Sequence, residues 1–136
     1  MVEKTSSPAP LSPVQQPQWD ETEAVLLHNI AERVANGSID RTEAVNQLSR
    51  VLRMRLAARG GFVDERTRNT NGIHLQLLKM EQYIASGATK GISKLFMDIA
   101  KLRIEKPKVY DLLLRKAEDE LNELCVDILA ILPPKC

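Results

Sequence analysis

Two stretches of this chain open with the same pattern. Trp19 precedes Asp20-Glu21-Thr22-Glu23, and Ile39 precedes Asp40-Arg41-Thr42-Glu43. In each, an aspartate sits at a helix N-cap position, a glutamate stands three residues on, and an apolar residue comes just before the cap. That is the capping-box signature, in which two side chains satisfy backbone N–H groups that the first turn leaves unpaired. Apolar residues at helical spacing follow both openings. Alternating β-branched runs do not occur, and Asn71-Gly72 stands ahead of a helical pattern, so it reads as first-turn chemistry. An all-α fold of about five helices is expected.

The first helix is expected from about Asp20 to Asn36, with Ala24, Leu27, Ile30, Ala31 and Val34 on one face and Asn36-Gly37 as its stop. The second, from Asp40 to Gly60-Gly61, carries Ala44, Val45, Leu48, Val51, Leu52 and Leu56. The third opens at Thr70 as its cap and buries Ile73, Leu77, Met80 and Ile84. Leu75 and Leu78 lie off that stripe, which predicts packing on a second side by the helices that follow. The fourth is expected over roughly 92–104. The fifth runs from Pro107, a favoured N1 residue, to about Leu132. Its stripe includes Tyr110, Leu114, Ala117, Leu121, Leu124, Ile128 and Ile131. The expected organisation is a Pro/Ser/Gln-rich tail over 1–18 and one helical domain over 19–132. Within it, 19–86 form a three-helix unit and 92–132 a C-terminal pair. The tail, with Pro8, Pro10, Pro13 and Pro17, reads as disordered, because it has too little apolar surface to offset its ordering entropy.

The full chain of 136 residues carries a formal charge of +1, which argues against a polybasic, non-specific nucleic-acid binder. The charge is unevenly placed. Residues 41–79 hold eight Arg or Lys against three acids, an excess of +5, whereas 117–127 hold five acids and no Lys or Arg. Such a basic segment suits docking on nucleic acid by one side, and solvated surface charge is the plain alternative.

Catalytic signatures are missing. The sequence contains no P-loop, no Gly-rich dinucleotide fingerprint, no HExxH and no GxSxG, so neither an enzyme nor a cofactor is expected. Cys125 and Cys136 lack the spacing of a zinc site or a disulfide framework, and no metal is expected. His28 beside the first apolar stripe reads as a core-edge histidine. No apolar run reaches the roughly 20 residues that span a bilayer, and residues 1–6 have no apolar leader. A cytoplasmic protein without membrane contact is expected.

The order of Trp19 and its acidic first turn, Leu48-Ser49 and Leu52-Arg53, then Arg68 through Ile73 and Leu77, resembles the Myb/SANT and trihelix class of DNA-binding units. Leu48-Ser49-x-x-Leu52-Arg53 followed by Arg68-Asn69-x-x-Gly72-Ile73 also looks like the helical module found ahead of catalytic domains in bacterial restriction-type proteins, including HNH endonucleases. Thr67 stands where those modules have phenylalanine, and Gly91-Ile92-Ser93-x-Leu95-Phe96 and Tyr110 to Leu114 fit their later part. The resemblance spans about 19–120; the nuclease domain and its His-Asn-His constellation are missing.

What the resemblance implies is a third helix that enters the major groove of double-stranded DNA. Arg66, Arg68, Asn71, His74 and Lys79 would be the contacts, with Arg50, Arg53 and Arg59 as flanking phosphate contacts. A bacterial defence, restriction or mobile-element role is then expected. For Arg68 a structural reading stands beside the DNA one, as a partner of Glu65. Asn69 reads as closing the loop, and Gly72 as allowing close helix packing. The alternative function is protein assembly, as a homodimer or within a larger complex, through Leu121, Leu124, Ile128 and Ile131.

Overall fold

A computed structural model describes residues 18–61 and 63–123. Residues 1–17 of the expected tail, the end of the last helix with Leu124, Ile128 and Ile131, and both cysteines lie outside the described residues. Among those described, the chain is all-helical: α1 (Glu21–Ala35), α2 (Arg41–Ala58), α3 (Thr70–Ser86), α4 (Lys94–Glu105) and α5 (Pro107–Glu123).

Capping chemistry sets most of these boundaries. Asp20 accepts from the Glu23 N–H at 2.9 Å, and the Glu23 carboxylate accepts from the Asp20 N–H at 3.1 Å, so the α1 capping box is complete. Asp40 caps α2 through the Glu43 N–H at 3.0 Å. Two expected starts are corrected. Asn69, not Thr70, caps α3, with its Oδ1 accepting from the Gly72 N–H at 2.8 Å. Ser93 caps α4, so Ile92 precedes that helix and packs into the core from the loop.

The core is organised around α1, which packs against α2, α3, α4 and α5. Residues 23–31 of α1 are therefore buried without a break, Val25 and Leu26 as fully as Leu27 and Ile30. A single apolar stripe understates this helix. The unbroken run Ala24-Val25-Leu26-Leu27 is the sequence trace of a helix enclosed on all sides. Around it, α2 contributes Leu48, Val51 and Leu52, α3 contributes Ile73, Leu77 and Met80, and α4 and α5 contribute Phe96, Ile99, Tyr110, Leu114, Ala117 and Leu121.

Four further expectations are corrected by this packing. Leu121 is only 1% exposed and belongs to the core cluster, so it offers no interface. Leu75 is 51% exposed and Leu78 half-buried, because α4 meets α3 on another side and leaves its outer face open. Ile84 is 40% exposed although it continues the inner stripe of α3, because its neighbours there leave a cleft instead of closing on it. His28 lies deeper than a core-edge position: it is fully buried, and its Nδ1 is 2.7 Å from the Tyr110 hydroxyl.

Candidate nucleic-acid interface

The segment between α2 and α3 is the part of the fold that the sequence singles out. It is built on Asp64, whose carboxylate accepts from the Arg66 N–H at 2.9 Å, the Thr67 N–H at 3.1 Å and the Thr67 hydroxyl at 3.0 Å. These bonds form an Asx-type turn. They hold the Asp64 carboxyl down at a pKa of about 2, with the backbone bond from Arg66 the leading cause. Arg53 fastens the same turn to α2, its Nη1 donating to the carbonyls of Asp64 at 2.8 Å and Thr67 at 2.7 Å. Arg53 is thus a loop clasp that holds two backbone carbonyls through Nη1.

Arg68 ends the turn in the left-handed region, at φ 49°. Its backbone carbonyl accepts from the Ser49 hydroxyl at 2.5 Å. Its guanidinium turns inward and meets the Glu23 carboxylate in a fork, Nε to Oε2 and Nη2 to Oε1 both at 2.9 Å. The same group lies over the Trp19 ring, 4.7 Å from its centroid, and Trp19 in turn meets Phe96 edge-on at 5.3 Å. Arg68 is 6% exposed. The expectation that it contacts DNA is corrected, and its structural partner is Glu23 of α1, not the neighbouring Glu65. Glu23 therefore has two tasks: it closes the α1 capping box and it anchors the start of α3.

Gly72 is exposed and packs against no other helix. A Cβ there would come within 3.1 Å of Asn69 Oδ1, so this position keeps room for the α3 cap. That corrects the close-packing expectation.

The linear excess of positive charge does not become a basic face of the same size. Four cations of residues 41–79 pair with acids from outside that segment. Arg41 pairs with Glu81, Arg55 with Asp20 and Glu120, Arg59 with Asp20 at 3.1 Å, and Arg68 with Glu23. Arg59 nonetheless keeps an exposed side chain.

What the fold leaves open is the outer face of α3 and the turn before it. Asn71 and His74 are exposed on the first turns of α3, and Leu75 stands beside them. Lys79 is half-buried, its aliphatic stem lying against Gly91, where a Cβ would meet Cε at 3.3 Å. Arg66 is exposed on the turn and bridges Asp64 at 3.2 Å. Arg50 is exposed on α2, where it donates to Gln47 at 2.6 Å. Of the expected contacts, Arg66, Asn71, His74 and Lys79 thus share the turn and α3. Arg50 is exposed on α2, Arg59 at the end of α2 is turned to Asp20 at the start of α1, Arg53 is half-buried against the turn and Arg68 is buried.

Sequence reading missed Glu23, Ser49 and Thr67, the buried partners that fix this turn. A legible signal existed for Glu23: it carries a charge on the buried helix, and such a residue needs a cation.

No group of three or more His, Cys, Asp or Glu side chains suited to holding a metal occurs among the described residues. No described helix is long and apolar enough to cross a membrane. No protein-family model, no curated protein and no solved structure matches this chain.

Proposed function

We propose that this protein is a non-catalytic recognition module that docks the outer face of α3 on double-stranded DNA, in a role of the bacterial restriction or defence type that the resemblance implies. The observation that carries this reading is the uncovered first half of α3, where Asn71, His74 and Leu75 project from a helix whose start is locked by a buried ion pair. A rigidly held helix with small polar side chains near its N-terminus is what major-groove docking uses. Asn71 and His74 suit base edges, and Leu75 suits the methyl group of thymine. Arg66, Lys79 and Arg50 suit phosphates.

Three phosphate contacts set a slope of about −2.7 for the logarithm of affinity against the logarithm of salt concentration. Affinity for a labelled random-sequence duplex should then fall about 40-fold between 50 and 200 mM salt. Anisotropy titrations at those two concentrations test this, run beside an Arg66→Ala/Lys79→Ala variant. The variant should lose about two units of slope while keeping its fold. Salt-independent affinity, or no binding at the lower concentration, sinks the reading.

A further inference from the structure

An opening lies away from the outer face of α3, where the C-terminal turn of α3 and the far ends of α1 and α4 diverge. Its volume is about 300 Å³, the lower end of the range for sites that take a compact group. Ala100, Tyr83 and His28 form its inner surface, and Ile84 and Ile104 stand on its rim. Ile104 is 83% exposed, the most exposed large apolar side chain among the described residues. A soluble bundle gains nothing by placing an isoleucine there, beside a second exposed isoleucine and an unfilled apolar cleft.

The charges around the cleft are unbalanced. Glu32 on its wall pairs with Arg103 at 3.2 Å, and the Arg103 guanidinium sits over the Tyr110 ring, 5.6 Å from its centroid. His28 inside is held neutral, because burial pushes its pKa down to about 4. Around that self-satisfied wall stand Lys101 on the cleft itself and Lys106 and Lys108 at the α4–α5 corner that follows Ile104. Among the described residues none of these three lysines makes an ion pair. The acids near them are Asp98, which pairs with Lys94 at 2.7 Å, and Glu105 and Asp111, so the rim keeps an excess of positive charge.

We infer that the cleft between α1, α3 and α4 receives an acidic amphipathic helix of a partner protein, which inserts an apolar side chain between Ile84 and Ile104 and sets its carboxylates against Lys101, Lys106 and Lys108. The occupant follows from complementarity on both counts. The cleft is apolar within and carries uncompensated ammonium groups at its edge. Its walls are helices, against which a further helix packs ridge into groove. This site is separate from the outer face of α3 and does not depend on DNA binding.

Selection from a displayed library of randomised helical peptides tests it on the full chain. Enriched peptides should be acidic, with apolar residues three or four apart. Ile104→Glu should lower their affinity by about tenfold or more, equivalent to about 1.4 kcal/mol. That side chain is exposed, so an unchanged thermal transition by circular dichroism separates lost binding from lost fold. Lys101→Glu/Lys106→Glu should weaken the same peptides by a similar factor, and Asn71→Ala/His74→Ala should leave them unaffected. No enrichment above background overturns the inference, as does enrichment of basic or uncharged peptides, or binding that survives Ile104→Glu. A second copy of this chain as the occupant would appear as a dimer that Ile104→Glu dissolves, and that result counts against an acidic partner.

Discussion

Arg68→Ala is the most informative single change in this protein. The substitution deletes a guanidinium that makes two 2.9 Å bonds to Glu23 and lies over Trp19. It leaves a carboxylate buried to 1% exposure with no fork to receive it. Breaking a buried pair by removing one partner costs about 3–5 kcal/mol, mostly the penalty of the stranded charge. A domain of this size loses about 4 °C of Tm per kcal/mol, so Tm should fall by about 12–20 °C. Glu23→Gln is the matched variant. Its amide still serves the capping box, so the loss it shows is that of the charge pair. Arg66→Ala is the internal comparison. Its bridge to Asp64 is exposed and should contribute less than about 1 kcal/mol. Urea unfolding followed by circular dichroism measures all three. If Arg68→Ala cost no more than Arg66→Ala, the pair would be a surface bridge, and the account of how α3 is anchored would fail.

Further expectations concern pH, capping and surface. His28 has a folded pKa of about 4 against 6.5 for the free side chain, so the fold prefers its neutral form. Its contribution is complete above pH 6.5 and is lost as pH falls toward 4, at about 1.4 kcal/mol per unit. Urea midpoints measured from pH 6.5 down to 5 should show this slope in the parent and a shallower one in His28→Gln; parallel slopes would refute it. Asn69→Ala removes the α3 cap and should cost about 1 kcal/mol, read as a drop in urea midpoint that Asn69→Ser largely recovers. Leu75→Ser should change stability by less than about 0.5 kcal/mol, because the side chain faces solvent. A large loss there would mean that the outer face of α3 is covered.

The legible part of this fold is local. Asp20 with Glu23, Asp40, Asn36-Gly37 and Pro107 mark helix ends through groups within four residues of one another, so the chain itself carries the signal. The inner stripe of α3, Ile73-Leu77-Met80, was equally readable from its spacing. Asn69 was harder, since Thr70 offers the same chemistry one residue later. Which of the two caps α3 depends on the Asp64 turn upstream and the φ of Arg68. The candidate site was less legible. Arg53, Arg66 and Arg68 look alike in a basic stretch, yet one clasps carbonyls, one faces water and one is buried.

By itself the sequence determined the number of helices among the described residues, most of their starts and the residues able to form a core, because capping and periodicity act over a single turn. Only the tertiary structure decided which helices enclose the middle of α1, that Glu23 holds Arg68 from 45 residues away, and that Leu121 is buried while Ile104 is left outside. Those outcomes depend on which helices become neighbours. A charge excess counted along the chain likewise says nothing about which acids the fold brings back to neutralise it.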